Sequence, residues 1–472
     1  MFRRVLPRRY EVVSSYSVEG RKVRILDAGG VLLYDVVVPA LNPLERFALN
    51  AMLAGEEVSL EEFGGIDVEK VHESLRLQRS LGELEYLIAD NNLTDIYIFQ
   101  NGVVSVVHLK YGELNTTLHL VEPERFASRL RMLTNKQFDH SSPLLSHFHR
   151  RFRISAAGYS ATPSQKIDVA IRLWHEKPLS LLDLMRFRSV NAEIASLLTI
   201  LANLGCAIII VGDRGSGKST LLQALLLVIP RRMRKVCILT EREIHEYFYA
   251  NDYRISDFKV HLGDEVSAEG VPLEQAVKQM LIHGRSGYII YNEIKFRREA
   301  ELFFTTCTIA GYSSILTTMH ADSPEKLLHR LAFDFNLPPE ALRSIDFILE
   351  TRVVRRGFSS RERRAVTRLV EVRNFKRNPL EEGALCDVFS YDAEKERWNV
   401  SWEESEVLKE KLGARALSER DFRELHSTLT EAYRRMVRTY KHNPENLEKY
   451  VEFINRVFRE LPPGTKMEVV DR

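Results

Sequence analysis

Residues 212–219 read Gly-Asp-Arg-Gly-Ser-Gly-Lys-Ser and complete the spacing GxxxxGK[ST]. The flanks give that spacing its meaning. Ile208-Ile-Ile-Val precedes it as a buried-strand run, and Thr220-Leu-Leu-Gln-Ala-Leu follows it as a helix. A strand–loop–helix of this kind turns backbone N–H groups inward and adds the partial positive charge of a helix start. It suits the phosphates of a nucleotide, held by Gly212, Gly215, Ser216, Gly217, Lys218, Ser219 and Thr220. Lys218 would reach the β- and γ-phosphates, and Ser219 would offer a hydroxyl to Mg²⁺. Such chemistry needs an acid on a neighbouring strand. Glu293 follows the apolar strand 287–291 and is the candidate, as a second metal ligand or as the group that polarises water. His320 closes another strand, in Thr317-Thr-Met-His-Ala-Asp-Ser, where an imidazole would sense the γ-phosphate.

The elements that must position these groups follow from the patterning. From about 171 to 375, strands alternate with helices, which predicts an α/β unit around a central sheet. Upstream, residues 10–39 alternate polar and apolar and predict short antiparallel strands. Residues 43–86 carry helical periodicity, with Pro43 near the first helix start. Strands are expected at 95–99, 103–107 and 116–120, a helix from Pro123, and a connecting region at 139–167 with a strand near 152–156. Residues 376–472 read as charged helices. The expected division is 1–85, 86–170, 171–375 and 376–472.

Composition narrows the function classes. The chain has 472 residues, 44% hydrophobic and 28% charged, which excludes a disordered or fibrous chain. Lys and Arg total 67 against 65 Asp and Glu, so a strongly basic nucleic-acid coat is excluded as a whole-chain character. The four cysteines form no CxxC pair, which argues against a zinc ribbon or disulfide framework and for a reducing compartment. The longest uncharged stretch, Ile194–Gly212, has membrane-spanning length. It is interrupted by Asn203 and Gly205 and runs directly into the phosphate loop. It therefore reads as a helix, a turn and a buried strand. Between Arg352 and Arg377 there are ten basic residues and two Glu. A nucleic-acid or anionic-lipid patch would fit that charge, but the alternation at 365–372 favours a hairpin with solvated basic faces.

Several tracts in fixed order resemble the ATPases of type II and type IV secretion systems, including those of archaeal pili and archaella. Gly212–Ser219 resembles their Walker A motif. Tyr288-Ile-Ile-Tyr-Asn-Glu-Ile-Lys295 is similar to their Walker B, and Ala310–Ser323, with His320, to their His box. Ile171-Arg172-Leu-Trp resembles the tract leading out of their N-terminal domain. Asn91–Ile96 and Gly112–Thr116 resemble that domain itself, with an archaeal flavour. The resemblance implies a RecA-like P-loop ATPase core, a smaller α+β, PAS-like domain before it and a helical C-terminal extension. It implies ATP and Mg²⁺, a homohexamer, a polytopic membrane platform protein as partner, and a place in the cytoplasm at the inner face of the membrane. It also assigns catalysis to Glu293, His320 and Glu243, with Arg172 and Arg153 as candidate clamps on the γ-phosphate.

Departures from the pattern bear on rate. The acidic box falls on Leu239-Thr-Glu-Arg-Glu243, where only Glu243 matches. Asn292, Lys295, Phe296 and Tyr312 replace Gly, Arg, Gly and His. Lost acids and charge clamps cost hydrolysis more than binding. The leading expectation is an ATP-driven motor for filament assembly or secretion. The alternatives are a hydrolysis-impaired regulatory subunit and a conjugation-type, nucleic-acid-translocating ATPase, the last disfavoured by the near-neutral charge.

Overall fold

A computed structural model describes the chain outside residues 39–40, 57, 59, 61–63, 150–151, 175–176, 240–243, 262–270, 284–286, 310, 312–313, 356–361, 374–382, 441–443 and 459–472. It divides into two units, Met1–Glu176 and Lys177–Arg472.

The N-terminal unit is α+β. Its strands are β1 (Phe2–Arg4), β2 (Glu11–Val18), β3 (Arg21–Asp27), β4 (Leu32–Val36), β5 (Leu93–Ile98), β6 (Val103–His108), β7 (Gly112–Leu120), β8 (Leu144–Phe148), β9 (Phe152–Tyr159) and β10 (Gln165–Leu173). They form one sheet in the order β2-β3-β4-β7-β6-β5-β10-β9-β8, with β1 beside β7. Residues 1–85 thus share a sheet with 86–170 through the parallel pairing Leu33↔Asn115. Asn42 caps the helix Pro43–Ala54 with a capping box, and Gly55 ends it in the left-handed region. Two further helices cover 68–89, and one more runs from Pro123 to Thr134.

Residues of β2, β4 and β6 meet Asp90 in a largely buried polar cluster. Tyr16 and Tyr34 both donate to Asp90, at 2.6 and 2.7 Å. His108 Nε2 lies 3.4 Å from the Tyr16 hydroxyl, and its Nδ1 accepts the Lys110 N–H at 3.0 Å. That bond requires the neutral ring.

The C-terminal unit is α/β. Its strands are β11 (Ile208–Val211), β12 (Lys235–Leu239), β13 (Ile255–His261), β14 (Val271–Pro272), β15 (Tyr288–Ile294), β16 (Ile315–Met319), β17 (Phe347–Arg355), β18 (Glu362–Val372), β19 (Leu385–Asp392) and β20 (Arg397–Val400). The order is β14-β13-β12-β15-β16-β11-β17-β18-β19-β20. Strands β14 to β17 are parallel and β17 to β20 antiparallel. Continuous apolar runs at 208–211 and 236–239 reflect burial on both faces of a parallel sheet. The helix Ala192–Leu204 ends at Gly205 (φ 78°), so the long uncharged stretch is a buried helix followed by β11. Among the described residues, no helix is long and apolar enough to cross a membrane.

The helical segments expected after residue 376 begin later than that boundary. β19 and β20 first extend the sheet, and the helices Glu406–Gly413, Glu419–Thr439 and Pro444–Val457 come afterwards. Helix Glu419–Thr439 packs on Ala192–Leu204. There the Tyr433 hydroxyl lies 2.7 Å from Thr199 and 2.8 Å from Tyr450, all buried.

Burial, opposed by the Asp90 charge, pushes the His108 imidazole down to about 4. The folded value lies below the ordinary one, so the unfolded chain holds the proton more tightly. The His108 contribution is complete above roughly pH 6.5 and is lost as pH falls toward 4, a change of roughly 3 kcal/mol by linkage. Denaturant unfolding of wild type and His108→Gln at pH 7 and pH 4 measures it. The difference between the two proteins is expected to shift by that order, and a difference independent of pH would contradict the assignment.

Candidate nucleotide site

The carboxyl ends of the parallel strands carry the site, the edge at which open α/β sheets place their ligands. After β11 the chain turns through the 212–217 loop into the helix Lys218–Val228. Gly212 is at φ 148°, and a Cβ there would stand 2.2 Å from the Thr351 carbonyl oxygen and 2.6 Å from Ser216 Oγ. Only glycine allows the loop to pass so close to β17. Gly215 and Gly217 also have positive φ, and Gly217 caps the helix start.

The loop is braced from β17 and β18. Thr351 Oγ1 donates to the Val211 carbonyl at 3.0 Å and shares a 2.8 Å hydrogen bond with Ser216 Oγ. Arg364 Nε donates to the Gly215 carbonyl at 2.7 Å. The expected basic hairpin is therefore real, and one of its arginines holds the phosphate loop.

Lys218 is only 7% exposed. Its ammonium donates to the carbonyls of Gly212 (2.8 Å) and Asp213 (3.0 Å) and to His320 Nδ1 (3.1 Å). An ammonium has no lone pair, so Nδ1 must accept. The His320 proton then sits on Nε2, which lies 2.9 Å from Glu293 Oε1. The other Glu293 oxygen pairs with Lys295 Nζ at 3.1 Å. Burial first, and the Lys218 charge second, push the His320 imidazole below its ordinary value, while Glu293 works the other way. The Lys218 donor at Nδ1 keeps the ring in its neutral form.

Strand register explains the meeting. β15, β16 and β11 are neighbours, with Tyr291↔Thr317 and Ile210↔Thr318 in register. Register shifts between Tyr291 and Ile294, so a bulge falls on Asn292 and Glu293. The Asn292 carbonyl is tied to Thr318 Oγ1 at 2.6 Å.

Of the residues singled out from sequence, Gly212 to Thr220, Glu293 and His320 lie together at this edge. Leu239 ends β12 and is buried. Glu243 and Tyr312 lie outside the described residues. Arg153 and Arg172 belong to the N-terminal unit, opposite each other on β9 and β10. Arg172 Nε donates to Asp95 Oδ1 at 3.2 Å. Thr351, Arg364 and Arg330 were not singled out. Their roles arise from tertiary contacts that leave no local pattern. Among the described residues no cluster of three or more His, Cys, Asp or Glu could hold a metal. The Ser219 hydroxyl and the Glu293 carboxylate are hard oxygen donors. They suit Mg²⁺, which keeps several waters and takes few protein ligands.

Comparison with known proteins follows the same direction. A family model described as "Type II/IV secretion system protein" matches residues 91–445. An uncharacterized protein of Methanocaldococcus jannaschii is 30% identical over 278 residues, covering 57% of this chain and 96% of that protein. A second uncharacterized protein of the same organism is 25% identical over 363 residues, covering 74% of this chain and 62% of that protein. Among solved structures, the VirB11 ATPase of the Brucella suis type IV secretion system, in complex with sulphate, matches at 18% identity and TM-score 0.28. That match covers 64% of this chain and 96% of that one. The Legionella pneumophila ATPase DotB matches at 16% identity and TM-score 0.40, covering 84% and 96%.

Gly212→Ala tests the loop geometry without any ligand. Forcing the Cβ against Thr351 is expected to cost about 1–3 kcal/mol, as overpacking and strain do. Thermal melting of the variant measures it. A melting temperature equal to wild type would mean that the close approach to β17 is absent.

Proposed function

The chain belongs to the family of type II/IV secretion system proteins, and on that premise we propose that it is an Mg²⁺-dependent ATPase driving a filament-assembly or secretion machine. In this reading it works as a hexameric ring at the inner face of the membrane, against a polytopic platform protein. Lobe motion driven by ATP turnover does the mechanical work. The observation that carries the reading is the hydrogen-bonded chain Lys218–His320–Glu293, which couples the phosphate loop to the carboxylate best placed for water.

The chemistry follows from the acceptors. Lys218 exchanges the carbonyls of Gly212 and Asp213 for the β- and γ-phosphate oxygens of ATP, a stronger charge-assisted set. Backbone N–H groups of 215–220 hold the phosphates, with the helix start behind them. Ser219 and Glu293 would hold Mg²⁺, directly or through water. When bound, the ion neutralises charge on the phosphates. Glu293, oriented by His320 and Lys295, positions the attacking water and takes its proton. His320 loses its Lys218 donor when Lys218 turns to phosphate. Its ring thereby registers whether the γ-phosphate is present and passes that state to Glu293 through Nε2–H. Glu243, Arg153 and Arg172 are proposed to complete the site.

Leu239 favours a second reading. An apolar side chain packs in the core where the family carries an acid. A nucleotide-binding regulatory subunit with weak turnover would tolerate that change.

Steady-state ATP hydrolysis, measured beside nucleotide binding, separates the two. Lys218→Ala is expected to weaken ATP binding by about tenfold or more, the scale of a lost charged hydrogen-bond set. Glu293→Gln is expected to keep binding and lower kcat by about 10²–10³. Tight Lys218-dependent binding without turnover would refute the motor reading and support the regulatory one.

A further inference from the structure

Resting on that reading, we propose that Arg330 is a positioning residue for catalysis, acting as the last rung between β15 and β16 and fixing the spacing of Glu293 and His320.

The final ladder pair of β15 and β16 is Ile294↔Met319. Lys295 and His320 are the next residues on each strand. Neighbouring parallel strands normally continue by N–H···O=C bonds, but here both chains leave the sheet. Two carbonyls, of Lys295 and His320, then end side by side. Arg330 supplies the donors. Its Nη1 donates to the His320 carbonyl at 2.8 Å and its Nη2 to the Lys295 carbonyl at 3.0 Å. One planar fork thus holds two strand ends at a fixed separation, which a point-charge donor does not do. Both carbonyls belong to the site: His320 is the sensing ring itself, and Lys295 pairs with Glu293.

The rung is needed because the ladder is already irregular. The register shift between Tyr291 and Ile294 removes ordinary pairing at Asn292 and Glu293. The Thr318 bond to the Asn292 carbonyl ties the strands before Glu293, and Arg330 ties them after it. Glu293 lies between the two ties.

Arg330 is itself held. It caps the helix Pro324–His329 and opens a π-helical turn, Arg330–Asp334. Such turns are rare and concentrate at functional sites. Its guanidinium carbon stands 4.9 Å from the centre of the Phe335 ring. Leu327, Leu328 and Leu331 are fully buried on the same segment. Those leucines anchor the segment, so the fork is free to serve the strand ends rather than the fold.

The test uses the full chain with Arg330→Met and Arg330→Lys. Lysine keeps the charge and stem, which guards against simple unfolding, but spans only one carbonyl. Both variants are expected to bind a non-hydrolysable ATP analogue as wild type does. Their kcat is expected to fall roughly 10–100-fold, the scale of a misplacement near 1 Å. In a Glu293→Gln background the Arg330 substitution should add little, because the group it positions is gone. Full activity in both variants, or an undiminished Arg330 effect in that background, would overturn the proposal. A second readout needs no turnover. ¹⁵N-labelled histidine spectra, assigned with His320→Gln, should show a slowly exchanging Nε2 proton on His320 in wild type and its loss in Arg330→Met. An unchanged signal overturns the positioning role. If wild type fails to hydrolyse ATP, the motor reading falls, and the histidine spectra still decide this one.

Discussion

A buried ammonium group must find acceptors, and the Lys218 site is organised around that requirement. Removing such a charge from water is costly unless its protons are matched. The phosphate loop matches them with its own carbonyls, at Gly212 and Asp213, and with one ring nitrogen of His320. The last choice has consequences. It fixes the imidazole tautomer, aims Nε2–H at Glu293 and leaves that carboxylate between a histidine and Lys295. A phosphate oxygen is a better acceptor than any of the three. The arrangement is therefore poised to change when phosphate arrives, and the change reaches the carboxylate through one ring.

Such a chain works only if three strand ends stay level. β15, β16 and β11 are adjacent and parallel, so their carboxyl ends open on one edge. β17 and β18 then brace the loop from the far side, through Thr351 and Arg364. The close pass between Gly212 and Thr351 leaves no room for a side chain. The loop is thus shaped by the sheet beside it as much as by its own glycines.

Much of this was legible in the sequence because the phosphate loop acts through backbone, and its glycine spacing is a backbone requirement. The apolar strands at 208–211 and 287–291, the helix start at Pro43 and the alternation at 365–372 carry their own local signals. What escaped detection is non-local. The pairing Leu33↔Asn115, which merges the first 85 residues into the N-terminal sheet, joins segments 82 positions apart. Strands Leu385–Asp392 and Arg397–Val400 carry no clear apolar alternation, and they form by pairing along β18 and with each other. Arg330, Thr351 and Arg364 serve the site through contacts of 10 to 149 positions, and no local pattern, the basic run around Arg364 included, marks these contacts.

The most direct measurement is a structure of the chain with Mg²⁺ and a non-hydrolysable ATP analogue. Lys218 Nζ should then stand on the β- and γ-phosphate oxygens, released from the Gly212 carbonyl and from His320 Nδ1, with Glu293 facing the γ-phosphate. Lys218 remaining on Gly212 and His320, with nucleotide bound elsewhere or not at all, would contradict the account.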